Sequence, residues 1–318
     1  MLYTFALMIE FTELRIVFMG TPPFAVASLD ALVRAGFNIV GVITAPDRPA
    51  GRGMKLTESA VKKYAVEKGL QILQPEKLKN PAFLEALKAM QADLQLVVAF
   101  RMLPEVVWNM PPMGSVNLHG SLLPQYRGAA PINRAVINGE IETGVTTFKL
   151  KHEIDTGDIL LQQRFAIGPN ETAGQVHDRM MVIGANLLID TVKGIANKTL
   201  QEQPQPTIAA GVQLQHAPKL FTDNCTICWN TTAREIYNLI RGLSPFPGAI
   251  TQLNGKMLKV FEGKVELATP TVAPGTVVTD NKTFLKIATT DDFIMVTDLQ
   301  LEGKKRMKVD DFLRGYKV

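Results

Sequence analysis

The chain has 318 residues, a net charge of +4 and a pI near 8.9; 46% of its residues are hydrophobic and 20% are charged. This length exceeds one hydrophobic core, so we expect two domains, and the ordinary composition excludes a disordered or collagen-like chain. Two cysteines, Cys225 and Cys228, exclude a disulfide framework and are too few for a zinc site built on cysteine alone, and we expect both to be buried.

Short apolar runs alternate with amphipathic segments in the first part of the chain. Strands are predicted at 14–20, 39–43, 94–100 and 116–119, and helices at 22–34, 59–68 and 81–90. This alternation predicts a mostly parallel, Rossmann-like α/β sheet covered on both faces. No apolar run approaches the ~20 residues that cross a bilayer, and residues 1–13 lack the basic start of a signal peptide. We therefore expect a cytoplasmic protein.

The loop after the first strand argues against dinucleotide binding. Gly20 is followed by Thr21-Pro22-Pro23-Phe24, where a dinucleotide fold has G-x-G-x-x-G. A pyrophosphate needs the second glycine of that motif for close approach to the backbone. Because this glycine is missing, the sequence excludes a nicotinamide-dependent dehydrogenase.

The pattern changes after Gly144. Strands are predicted at 145–150 and 159–167, a long helix at 172–195, and then a polar, proline-bearing linker. Beyond it, one helix at 232–241 precedes short strands separated by Gly, Asn and Asp turns, which is typical of a small β-barrel. We predict a catalytic domain at 14–200, a linker at 201–212 and a C-terminal barrel domain at 213–318.

Two polar side chains mark the end of the strand at 116–119. Asn117 and His119 are two residues apart, so they point to the same face near the end of the strand, where open α/β sheets bind ligands. A plainer interpretation stays open for each residue. A histidine near a strand end is more often a satisfied polar residue, and an asparagine can bond to nearby backbone.

A carboxylate lies further along the chain, in the segment Ile154-Asp155-Thr156-Gly157-Asp158. Aspartate in such a segment is more often a turn-former than a catalyst. The pairing of Asp155 with His119 is long-range, so spacing alone does not establish it. His152 is close by, and its position on the strand pattern predicts that it lies at the surface.

The order N-L-H-G-S-L-L-P-Q-Y-R-G, followed downstream by D-T-G-D, resembles the signature of the folate-dependent formyltransferases. The resemblance implies a catalytic trio of Asn117, His119 and Asp155. It also implies that the folate carrier is held by the turn after the histidine and by the loop after the strand at 94–100. The residues implied are Ser121, Leu122, Leu123 and Pro124 in the turn, and Phe100, Arg101 and Met102 in the loop.

The residue types of the trio suit formyl transfer. Attack of an amine on a formyl carbon builds negative charge on the formyl oxygen, and donors aimed at that oxygen supply ~3–4 kcal/mol each in comparable sites. An imidazole suits the proton transfers near neutral pH, and a carboxylate beside it favours the imidazolium form and its orientation. No metal is required.

A basic segment follows the second strand, and residues 47–63 carry five Lys or Arg against two Asp or Glu. A solvated surface loop is its plainer interpretation. Cations on a loop rich in Gly and Pro also suit contacts with RNA phosphates. The segment resembles the tRNA-contacting loop of the family members that formylate charged initiator tRNA, which implies that Arg48, Arg52 and Lys55 bind tRNA.

The C-terminal segments 217–220 and 240–249 resemble the barrel of the same family members, which implies a domain of oligonucleotide-binding (OB) type. The whole resemblance implies transfer of formyl from 10-formyltetrahydrofolate to methionyl initiator tRNA through a tetrahedral intermediate. We expect a monomer whose partners are the folate and the tRNA, without a membrane. Two alternatives stay open: formylation of a sugar nucleotide or purine precursor by the same trio, and an RNA-binding module with an inactive site.

Overall fold

The structure is a computed structural model that describes residues 13–50, 55–208, 211 and 213–318. The chain divides into two compact units that interleave along the sequence. The first comprises residues up to 127, 144–164 and 178–215, and the second comprises 128–143, 165–177 and 216–318. The contiguous boundaries at 200 and 213 stay a prediction.

The described residues form helices and strands that we number in chain order. The strands are β1 (Ile16–Gly20), β2 (Ile39–Ile43), β3 (Arg48–Ala50), β4 (Lys55–Thr57), β5 (Ile72–Leu73), β6 (Leu94–Val98), β7 (Ser115–His119), β8 (Arg127–Gly128), β9 (Glu142–Lys149), β10 (Ile159–Ala166), β11 (His216–Ala217), β12 (Ala249–Leu253), β13 (Lys256–Glu266), β14 (Val277–Thr279), β15 (Leu285–Ala288), β16 (Phe293–Leu301) and β17 (Met307–Lys308). The helices are α1 (Pro23–Arg34), α2 (Ala60–Glu67), α3 (Pro81–Ala89), α4 (Glu105–Trp108), α5 (Pro131–Ile137), α6 (Ala173–Ala196), α7 (Gln205–Ile208), α8 (Ala233–Gly242) and α9 (Val309–Gly315), and a 3₁₀ turn lies at Thr222–Cys225.

The first unit is built on a seven-stranded sheet in the order β10-β9-β7-β6-β1-β2-β5. The pairs β5–β2, β2–β1, β1–β6 and β6–β7 are parallel, and β9 runs antiparallel to β7. The prediction of a mostly parallel, Rossmann-like sheet is therefore confirmed. Because β2, β1, β6 and β7 run in the same direction, their C-terminal ends share one edge, which we call the carboxyl edge.

Gly20, at the end of β1, allows the start of α1 to pack closely against the sheet. A Cβ atom at this position would lie 2.5 Å from the Cβ of Ala25 and 3.0 Å from the carbonyl oxygen of Val98. Both distances are shorter than van der Waals contact allows. The glycine thus has a packing role here.

Most long elements match their predicted bounds, and the differences lie in short segments. The basic segment predicted as a loop contains a two-stranded antiparallel ribbon, β3–β4. Helix α5 was not predicted, and the expected linker contains α7. Elements this short contain too few residues to show a periodic pattern, and they depend on contacts with other parts of the chain.

The second unit contains a curled antiparallel sheet in the order β12-β13-β16-β15-β14, with β17 paired to β16. Helix α8 packs against β13 and β16 and supplies Ile236 and Ile240 to the core. Its N-terminus carries a capping box in which the backbone N–H of Glu235 donates to the Thr232 hydroxyl at 3.3 Å. This curled sheet forms a half-barrel, which confirms the predicted small β-barrel domain.

Two smaller findings concern the cysteines and the membrane. Both cysteines are free; Cys225 is buried as predicted, whereas Cys228 is exposed, because only the first of the two side chains faces the core of the half-barrel. Within the described part of the chain, helices that combine the length and the apolarity needed to span a bilayer are absent.

Candidate active site

The site lies at the carboxyl edge, where β7 ends. Asn117 and His119 lie on the same face of this strand, as the sequence predicts. Asn117 is partly exposed and pairs in register with Phe148 of β9 and Val97 of β6. Both side chains therefore emerge from the interior of the sheet, with a neighbouring strand on either side.

His119 is 8% exposed, and each nitrogen of its imidazole ring faces an oxygen atom. Nε2 lies 2.9 Å from the carbonyl oxygen of Tyr126, and Nδ1 lies 3.9 Å from Oδ2 of Asp155. Because a carbonyl oxygen only accepts, Nε2 carries a proton and donates it. Nδ1 therefore faces the carboxylate at ion-pair distance.

Phe148 fixes the plane of the imidazole. This fully buried ring meets that of His119 edge to face, with centroids 6.4 Å apart and planes at 84°. A fixed ring plane keeps Nδ1 directed toward Asp155.

Asp155 lies in the turn between β9 and β10, with a backbone φ of +54°. Aspartate visits this left-handed region more readily than most residues. The turn is tight: the Thr156 hydroxyl donates to the carbonyl of Glu153 at 3.1 Å, and a Cβ at Gly157 would overlap the carbonyl oxygen of Lys149. The segment is therefore a turn-former, as the plainer interpretation holds, and this turn places the carboxyl group beside His119.

The turn containing Ser121, Leu122, Leu123 and Pro124 follows β7 directly, and hydrogen bonds with a buried side chain hold it in place. The Thr146 hydroxyl donates to the Ser121 carbonyl at 2.7 Å and accepts the Leu123 backbone N–H at 3.1 Å. Ser121, Leu123 and Pro124 are buried, whereas Leu122 is partly exposed. The buried residues thus shape a rigid support beside His119, and the folate contacts of this turn stay a prediction.

Phe100, Arg101 and Met102 follow β6, the strand next to β7, so the loop lies at the same edge. Met102 is 74% exposed, and Phe100 packs partly against the core. The Arg101 guanidinium donates to the carbonyl of Glu76 at 2.8 Å. Its pKa is lowered mainly by burial and further by the positive charge of Arg48. Arg101 thus braces the loop and contributes positive potential, and its contact with folate stays a prediction.

The β3–β4 ribbon continues from the C-terminal end of β2, at the same edge. Arg48 is exposed and pairs in register with Thr57 of β4. Arg52 lies outside the described residues. Strand β2, from which the ribbon continues, is three strand spacings from β7 in the sheet order, about 14 Å.

Asp47 anchors the base of this ribbon. Its carboxylate accepts hydrogen bonds from the ammonium group of Lys62 and, at 2.8 Å, from the side-chain amide of Gln74. The bond from Lys62 is the main reason that the pKa of Asp47 is lowered. The ribbon is therefore held at its base while Arg48 stays in solvent.

Three residues that the sequence did not single out hold the surroundings of His119: Tyr126, Arg127 and Gln205. Tyr126 lies inside the Q-Y-R-G motif, so its position there was a usable signal. Gln205 is 0% exposed, and its amide donates to the carbonyls of Asp155 and Gly157 at 2.9 and 2.8 Å. No sequence signal marks it, because it lies in a polar stretch that predicts an exposed linker.

His152 does not take part in the trio. Its side chain is 88% exposed, and its Nδ1 atom lies 3.9 Å from a carboxylate oxygen of Glu105. The predicted surface position is confirmed.

Known proteins resemble this chain along nearly its whole length. A family model described as formyl transferase matches residues 14–192, and one described as formyl transferase, C-terminal domain, matches residues 219–317. The methionyl-tRNA formyltransferase of Bacteroides fragilis is 53% identical over 309 residues, which cover 96% of this chain and 95% of that protein. The enzyme of the same name from Phocaeicola vulgatus is 54% identical over 316 residues, 97% of this chain and 98% of that one.

A solved structure supports the fold. The N-formyltransferase from Helicobacter canadensis, in complex with folinic acid and dTDP-3-aminofucose, aligns with a TM-score of 0.68 at 20% identity, covering 92% of this chain and all of that one. At that identity the likeness concerns the fold alone. The family models and the relatives above half identity go further, and they show that this chain belongs to the formyl transferase family.

Proposed function

We propose that this chain transfers the formyl group of 10-formyltetrahydrofolate to the amino group of methionyl initiator tRNA, for translation initiation. The observation that carries the chemistry is the approach of His119 Nδ1 to within 3.9 Å of the Asp155 carboxylate, beside Asn117. The relatives named above are methionyl-tRNA formyltransferases, and this chain matches them along almost their full length. This match supports the choice of acceptor.

The reaction requires two bond changes and one proton transfer. The amine nitrogen of the methionyl group adds to the formyl carbon, and the formyl oxygen becomes anionic in the tetrahedral intermediate. The bond between the formyl carbon and N10 of the folate then breaks. One proton leaves the amine nitrogen and one arrives on N10, so the products are the formyl amide and tetrahydrofolate.

In this proposal the trio supplies donors and moves the proton. The amide of Asn117 and a protonated Nδ1 of His119 donate to the anionic oxygen, where each donor contributes ~3–4 kcal/mol by comparison with other oxyanion sites. Asp155 keeps the imidazole oriented. The same imidazole passes a proton to the departing N10 and takes up the proton that leaves the amine nitrogen.

The carboxyl edge offers separate places for the two substrates. The rigid turn at Ser121, Leu122, Leu123 and Pro124 and the loop at Phe100, Arg101 and Met102 follow neighbouring strands, and we place the folate between them. Arg48, Arg52 and Lys55 contact the tRNA backbone in this proposal. Arg48 is exposed, and β2 lies about 14 Å from β7 in the sheet. This arrangement suits an RNA that is bound at the ribbon and brings only its aminoacylated end to the trio. We also propose a monomeric, cytoplasmic enzyme.

The test uses the purified chain, 10-formyltetrahydrofolate and three acceptors. These are methionyl initiator tRNA, the same tRNA without its amino acid, and a nucleotide-linked amino sugar. We expect formyl transfer only to the charged tRNA, because only that acceptor combines a free amine with an RNA backbone for the basic ribbon.

Transfer to the sugar amine instead would replace the proposal with a sugar formyltransferase. Binding of the charged tRNA without transfer would indicate an RNA-binding module, and it would remove the assigned roles from the trio.

A further inference from the structure

The amide of Gln205 joins the two segments that hold His119. Its nitrogen donates to the carbonyl oxygens of Asp155 and Gly157, at 2.9 and 2.8 Å. Its oxygen accepts from Nε and Nη2 of Arg127, at 2.9 and 2.6 Å. Both amide hydrogens and both lone-pair directions are in use, so the side chain has one orientation.

The two joined segments bear on opposite nitrogens of the same imidazole. Arg127 follows Tyr126, whose carbonyl oxygen accepts from His119 Nε2 at 2.9 Å. The turn that Gln205 holds on the other side carries the Asp155 carboxylate, 3.9 Å from Nδ1. The separation of Asp155 from His119 therefore depends on how these segments are tied together.

The burial of Gln205 strengthens this link between the two segments. Gln205 is 0% exposed, and the amide would lose its partners deep in the protein if either segment moved. Leaving a buried amide without hydrogen-bond partners is unfavourable, which opposes such movement. Its neighbour Gln203 reinforces the placement through two backbone hydrogen bonds of 2.9 Å to Ile159, while its own side chain is exposed.

We propose that Gln205 is a positioning residue for formyl transfer. By linking the Asp155–Gly157 turn to Arg127, it sets the distance between the Asp155 carboxylate and Nδ1 of His119. The inference rests on the proposed function. It assigns a role in formyl transfer to a segment that the sequence predicts to be an interdomain linker.

The first test is the variant Gln205→Ala, assayed with charged tRNA and 10-formyltetrahydrofolate. We expect kcat to fall by about 10- to 100-fold, because a displacement near 1 Å in a catalytic group has effects of this size. The KM values of both substrates should stay within about threefold, because Gln205 touches neither substrate in the proposal. A wild-type kcat, or a loss confined to KM, would overturn the inference.

Two further variants control for folding. Gln203→Ala changes the same residue type in the same segment, at an exposed side chain, and should leave kcat unchanged. Gln205→Glu keeps oxygen acceptors for Arg127 but loses both donors to the turn, so its kcat should fall as far as that of Gln205→Ala. If Gln205→Ala unfolds, Gln205→Glu carries the test alone, and a wild-type kcat in it would refute the inference.

A double substitution separates positioning from a general structural role. Asn tolerates the backbone conformation of Asp155, so Asp155→Asn removes the charge and leaves the turn. Adding Gln205→Ala to Asp155→Asn should reduce kcat by less than about threefold more, because both changes act through one carboxylate. Equal fold-losses from Gln205→Ala in the two backgrounds would contradict the inference.

A readout without substrate distinguishes the two proposals. The ring nitrogen NMR signals of His119 should move in Gln205→Ala and stay in place in Gln203→Ala. Unmoved signals in Gln205→Ala refute the positioning role, whether or not the wild-type chain formylates tRNA. Failure of the wild-type chain to formylate tRNA, with the His119 signals moved, refutes the proposed function alone.

Discussion

Two regions of the carboxyl edge differ in how their polar groups are held. The imidazole of His119 is buried, and oxygen atoms and an aromatic ring fix it on three sides. The β3–β4 ribbon is braced at Asp47, but Arg48 extends into solvent. The first region is organised before any ligand arrives, whereas the second offers charge to a partner.

Because of this difference, we expect the two regions to control different kinetic quantities. A buried and oriented group acts on the transition state, so its loss lowers kcat. An exposed cation acts on a polyanion over a distance, so its loss changes affinity and salt dependence. Three substitutions test this division in descending order of effect, and a fourth tests a local contribution to stability on the helix that follows the ribbon.

Substitution His119→Ala should have the largest effect. We expect kcat for formyl transfer to fall by about 10²- to 10⁴-fold, because the donor to the formyl oxygen and the proton carrier are both lost. Steady-state kinetics with charged tRNA measure it. The matched control is His152→Ala, at a histidine that is 88% exposed, and it should retain wild-type turnover. Near-normal turnover of His119→Ala would remove the residue from the mechanism.

Asn117→Ala should lower kcat by about 10²- to 10³-fold, the usual result of deleting one oxyanion donor. The KM for the folate should change little, because the interaction strengthens only in the transition state. Separate determination of kcat and KM distinguishes this role from simple binding. A raised KM with an unchanged kcat would make Asn117 a ligand contact instead.

Arg48→Ala should act on affinity. We expect kcat/KM for charged tRNA to fall by up to about tenfold at low salt, and the slope of log(kcat/KM) against log[salt] to flatten by about one unit. Lys88→Ala is the matched control, because Lys88 is an exposed cation near the C-terminal end of α3, which leads into the start of β6 at the opposite edge of the sheet. Equal salt slopes for Arg48→Ala and wild type would show that the ribbon is merely solvated.

Tyr64→Phe, on the helix that follows the ribbon, should have the smallest effect. The phenol donates to the Asp30 carboxylate at 3.0 Å, and burial together with this bond raises its pKa from 10.0 to about 12. Because the folded pKa is the higher one, the stabilisation is complete below pH 10 and is lost as pH rises toward 12.

The measurement is the free energy of unfolding across that alkaline range, with formyl transfer assayed at neutral pH. The wild-type chain should lose stability more steeply than Tyr64→Phe above pH 10, and neutral turnover should be the same in both. Parallel alkaline losses in the two proteins would show that Tyr64 contributes no such stabilisation.

Much of the architecture followed from local patterns. Strands β1, β2 and β6 are short apolar runs, and α1, α3 and α6 are long enough to show helical spacing, so their existence and approximate bounds were predictable. The pairing of the ribbon, the helix α5 and the burial of α7 were not, because each depends on contacts with residues far along the chain.

The types of the chemical groups could be predicted from the sequence: an amide and an imidazole on one strand face, a carboxylate in a tight turn and a basic segment after β2. The distances between these groups are properties of the folded chain. The 35 residues between His119 and Asp155 hold no local signal for a separation of 3.9 Å, and none marks Gln205 as buried. Such separations depend on sheet order and on hydrogen bonds between distant segments, and the energies of these contacts arise only when the chain is folded.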